Sequence, residues 1–107
     1  MTARYAQLVE YYETMLHGVK DHIDAVEETI YQLELQYARL HFKHNRDIYF
    51  EMSAILDAEN IKQVDLLVSL LEEERELVNR LSYFRSKYDQ AWKAERAREK
   101  EEEEGSF

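Results

Sequence analysis

One rhythm in the first forty residues decides most of what this chain can become. Tyr5, Val9, Tyr12, Leu16, Val19, Ile23, Val26, Ile30, Leu33, Tyr37 and Leu40 follow one another at alternating spacings of four and three, without a slip. In a helix that spacing lines every one of these side chains along a single narrow seam. A strict seven-residue period keeps the seam facing a partner helix and implies a left-handed supercoil. Glu27, Glu28, Glu34, Arg39 and Lys43 fall between the seam positions, as outward faces should. Carried further, the rhythm reaches His44 and Asp47, where the stripe stops being apolar.

The second half has a seam of its own. Leu67, Leu70, Glu74, Leu77, Leu81, Phe84, Tyr88 and Ala91 again alternate three and four, and Val64, Val68, Leu71 and Val78 form an adjacent apolar row. Pairing with one helix needs only a narrow stripe. The wide stripe therefore predicts two neighbours: the first helix folded back, and a third segment or another chain. The fold class expected is all-α, a long antiparallel helical hairpin or coiled coil completed to a helical bundle by dimerisation.

The punctuation residues agree. The chain has no proline, and its two glycines are Gly18 and Gly105. Strands and tight turns draw on those residues, so few long helices are the easy construction. Gly18 sits inside the first helix, either as a tolerated glycine or where a neighbouring backbone comes close. Two stretches offer a reversal. In 44–47, His44, Asn45, Arg46 and Asp47 interrupt the seam. In 57–60, Asn60 is placed to cap a helix starting at Ile61, with Gln63 as in a capping box. The second is preferred, because residues 48–56 are apolar and helix-compatible. This gives a single coiled-coil domain over residues 1–100, with a helix over about 2–57, a turn at about 57–60 and a helix over about 61–100. Bends at both places would make three helices, and a continuous single helix through both is the remaining alternative. Residues 101–107, four glutamates followed by Gly105, Ser106 and Phe107, are expected as an acidic disordered tail, since carboxylates at a helix C-terminus oppose its dipole.

Composition narrows the function. Hydrophobic residues make up 45% and charged residues 35% of the 107, a profile of long helices and coiled coils. With no cysteine there is neither a disulfide framework nor a thiolate metal site, and a cytoplasmic, reducing setting is the expectation. The start, Met1-Thr2-Ala3-Arg4-Tyr5, does not lead into the apolar core of a signal peptide. The densest apolar run, 66–71, is far too short for a membrane span. A net charge of −9 argues against nucleic acid and anionic membrane as main partners. The basic stretch over 75–100 reads as a solvated face laced with intrahelical pairs.

Candidates for chemistry are sparse. His41, His44 and Asp47 share one face but lack a fourth ligand nearby, so no metal site is expected. His17 and His22 are five apart and diverge. Di-iron bundles place Glu three residues before His, whereas Thr14, Val19, Ala38 and His41 occupy those positions here. There is no nucleophile constellation, and two glycines cannot build a phosphate loop. Neither a cofactor nor enzyme activity is expected. The aromatic residues Tyr5, Tyr11 and Tyr12 crowd one end, and Tyr83, Phe84, Tyr88 and Trp92 the other; an antiparallel hairpin would bring the two groups together.

The expected function is a non-catalytic helical protein–protein interaction module, a structural or adaptor subunit acting as a homodimer or in a hetero-oligomer. Val64, Leu67, Val68, Leu71, Val78, Leu81, Tyr88 and Trp92 are the candidate interaction residues. In its physical profile (small, acidic, helical, cysteine-free) the chain is similar to bacterial secretion chaperones. That similarity implies, as the alternative, a small secretion or assembly chaperone holding a helical client. Its long helices also resemble crescent-shaped membrane-bending modules, whose basic concave face the net charge does not match.

Overall fold

A computed structural model describes residues 2–43 and 46–105. All of them lie in two helices, α1 over Thr2–Lys43 and α2 over Arg46–Gly105. The fold is an all-α antiparallel helical hairpin. Two residues, His44 and Asn45, separate the helices and lie outside the described residues, as do Met1, Ser106 and Phe107.

The reversal therefore falls at the first candidate stretch, and the turn expected at 57–60 is not there: α2 runs through it without interruption. The physical reason lies in the seam. Upstream of Leu67, Gln63, Asn60, Leu56, Ser53 and Tyr49 are half-buried, still alternating four and three, with Glu59 half-buried beside Asn60. The phase never breaks; only the residue type becomes polar. The supposed cap is occupied otherwise, since Gln63 Nε2 donates to Glu59 Oε1 at 3.0 Å, one helical turn back. At the far end α2 continues through 101–104 to Gly105 with every residue exposed, and Ser106 and Phe107, the rest of the expected disordered tail, lie outside the described residues.

The contacts divide the chain into two compact units. Gly18–Glu74 is the first. Its seam buries Val19, Ile23, Val26, Leu33 and Leu40 of α1 and Leu70 of α2, with Leu67 half-buried beside them. Tyr37 donates its phenolic hydrogen to an Asp57 carboxylate oxygen across the helix pair. Desolvation at this half-buried site, and then the hydrogen bond to Asp57, push the Tyr37 phenol from 10 up to about 12.

The second unit pairs Met1–His17 with Arg75–Phe107. Leu77 and Leu81 are buried here. The two aromatic groups do meet: Tyr12 of α1 stacks on Phe84 of α2, with centroids 5.4 Å apart and planes 9° from parallel. Tyr11 and Tyr83 close on this pair edge-on from either side. Arg85 Nη2 bridges to Glu13 Oε1 at 2.9 Å, and Thr2 donates to Glu95. That donated bond, helped by the nearby Arg98 charge, holds the Glu95 carboxyl below the usual range.

Among the described residues no side chain is completely sealed from solvent. Two helices meeting along one seam make a single layer of core, which leaves the flanks of every seam residue wet.

Candidate interaction site

The geometry of the seam sorts the candidate residues. Placing the half-buried and buried positions of α2 at the two inward sites of a heptad puts Leu67, Leu81 and Tyr88 on the seam. Leu81 is buried there, and Leu67 and Tyr88 are half-buried. Val64, Val68 and Leu71 follow a different line, rotated by about 100° around α2 from the seam. They remain 40%, 51% and 44% exposed. Of the two apolar rows, the hairpin covers the first and leaves the second open.

Val78 and Trp92 are exposed too, but belong to the other unit. There the row is broken by Ser82, Arg85 and Asp89, and Trp92 lies under its own helix neighbour, with the Arg96 guanidinium carbon 4.8 Å from the ring centroid. Within Gly18–Glu74, by contrast, the row is continuous. It extends one residue beyond the candidates to Ile61, which is 61% exposed and which sequence reasoning left out. Ile61 has the same heptad phase as Val68, so the signal was present but hidden by reading residue 61 as the start of a helix. Asp57, engaged by Tyr37, closes the row at one end, and Arg75 follows it at the other.

Charge frames the strip. Asp65 and Glu72 of α2 are exposed on its outer border. On the hairpin side, Glu27 and Glu34 of α1 occupy the same heptad phase as Glu13, which in the other unit faces α2 and pairs with Arg85. In Gly18–Glu74 the corresponding α2 positions are Val64 and Leu71, which offer these carboxylates no cation. Among the described residues Glu27, Glu34, Asp65 and Glu72 form no ion pair.

Among the described residues no group of three or more His, Asp or Glu side chains is placed to hold a metal ion. Of the His41, His44 and Asp47 trio, Asp47 is exposed in the first turn of α2; His44 and the His41 side chain lie outside the described residues. Nor is any helix long and apolar enough to cross a membrane, again among the described residues. No family model, curated protein or solved structure matches the chain.

Proposed function

We propose that this protein is a non-catalytic interaction module, a structural or adaptor subunit that binds a helix of another chain along the second face of α2. The observation that carries the reading is the exposed row Ile61, Val64, Val68 and Leu71, set on a continuous helix whose other apolar row lines the hairpin seam. An apolar strip held open on a continuous helix is characteristic of helix-in-face recognition, where anchors recur every three or four residues. The proposed setting is cytoplasmic.

The test is the mass of the protein purified from its own cells, measured by sedimentation equilibrium. The expected result is a species heavier than one chain at defined stoichiometry, returned to a single chain by Leu71→Glu and not by Arg39→Glu. A charge forced into the strip must be desolvated or must pry the helices apart. A wild-type chain that stays monomeric, stable and without a partner contradicts the proposal. A small assembly chaperone is the second reading, favoured by the incompletely sealed seam and the acidic surface. It differs in releasing its helical client, so its complex would exchange with added client during the experiment and the adaptor's would not.

A further inference from the structure

We infer that the strip is the docking site of a basic amphipathic helix from a different protein, not of a second copy of this chain. The inference rests on the interaction-module reading and identifies the chemistry of the occupant. Three observations point the same way. First, the net charge is unevenly distributed: residues of Gly18–Glu74 include 13 acidic and 5 basic side chains, a net −8, while the rest of the chain carries 10 and 9, a net −1. The unit that holds the open strip therefore holds almost all of the negative charge.

Second, that charge stands on both borders of the strip. Asp65 and Glu72 line one side, and Glu27 and Glu34 hold the flanking register of α1 on the other, all exposed and without ion pairs. Third, the equivalent flank in the other unit shows what such a carboxylate accepts when a cation is within reach, since Glu13 takes Arg85 at 2.9 Å. An incoming helix with an apolar stripe and lysine or arginine on its flanks would fill the strip and pair all four carboxylates. A second copy meeting this one strip to strip would bring −8 against −8 and align like-charged borders, and like-charge juxtaposition disfavours a partner strongly. The strip from Ile61 to Leu71 rises about 15 Å along the helix, the span of three turns of a bound helix.

The experiment uses the full chain and a designed peptide of about three heptads, with leucine on its stripe and lysine on its flanks. Binding is measured by calorimetry at low and at high salt. The expected result is saturable one-to-one binding that weakens with salt. Leu71→Gln and Val68→Gln should each raise Kd about tenfold with the net charge unchanged, the scale of losing one apolar anchor. Asp65→Asn with Glu72→Gln should weaken binding most at low salt. Glu73→Gln removes a charge from the opposite side of α2 and should leave Kd as it was. Circular dichroism of each variant establishes that these exposed substitutions leave the helices intact.

The inference is overturned if Leu71→Gln binds like wild type, if Glu73→Gln weakens binding as much as the Asp65 and Glu72 changes, or if a peptide with glutamate in place of lysine binds equally well. It is also overturned if the wild type forms a homodimer that Leu71→Gln dissolves. In that case the interaction-module reading stands and only the identity of the occupant falls. If the peptide does not bind and the chain from its own cells is monomeric, both fall together.

Discussion

At the residue scale, single side chains report on how the hairpin is joined. Tyr37 donates to Asp57 only while its phenol keeps its proton, and its pKa is pushed up to about 12. A folded-state pKa raised above the unfolded value of 10 means that this contribution is whole below pH 10 and is lost as pH rises through about 12. Ultraviolet titration should find the Tyr37 phenol ionising earlier in Asp57→Ala than in the wild type. Glu95 has the opposite sign: its lowered pKa makes its contribution present above pH 4.5 and lost as acid protonates it in the folded chain. Gly18 illustrates a residue whose two readings separate cleanly. A Cβ built there meets nothing within 4 Å, so no neighbouring backbone needs the space and the glycine is simply tolerated in an exposed helix interior. Gly18→Ala should stabilise the fold by about 1 kcal/mol in denaturant titration. A destabilised variant would mean that the position is closed by something the chain itself does not supply.

At the element scale, the two helices were unequally legible. The seam of α1 could be read directly, because all its positions from Tyr5 to Leu40 are apolar and the rhythm alone identifies them. In α2 the same rhythm runs from Tyr49 to Glu95, but Ser53, Asn60 and Gln63 occupy seam positions, and a reading keyed to apolar residues sees a gap there. Asn60 followed by Gln63 also imitates a helix start, and only the bond from Gln63 to Glu59 shows that the side chain is used inside a continuous helix. The interaction site divided in the same way. The two apolar rows of α2 were visible, yet nothing local says which one α1 will take; the hairpin takes the row containing Leu67 and Leu81, and the row containing Val64 and Val68 is left. The acidic borders could not be read at all without the pairing of α1 and α2, since Glu27 and Asp65 are 38 residues apart in sequence. The end of α2 yields its own prediction. Residues 101–104 are helical, exposed and set against the helix dipole, so they add nothing to the core. A chain ending at Lys100 should melt at the same temperature as the full chain, and a fall of several degrees would show that the terminal turn is docked.

At the scale of the whole molecule, the hairpin is a fold with one layer of core and one apolar row too many. No described side chain is fully sealed, and the strip on Gly18–Glu74 lies open between carboxylates that form no ion pair among the described residues. Covering that strip would remove apolar surface from water at about 25 cal/mol per Å2, against the entropic cost of bringing two chains together. Because the chain has no cysteine, a single introduced thiol reports on its own site without interference. The most direct test is the rate at which Val68→Cys and Glu73→Cys react with a maleimide, compared between the purified chain and the chain inside the cells that make it. Both thiols should react alike when the chain is isolated, and in the cell Val68→Cys should be slowed at least about tenfold while Glu73→Cys is unchanged, as expected of a site occupied at least about nine-tenths of the time. Equal rates at the two positions in the cell would contradict this, because the strip would then be open where the protein works.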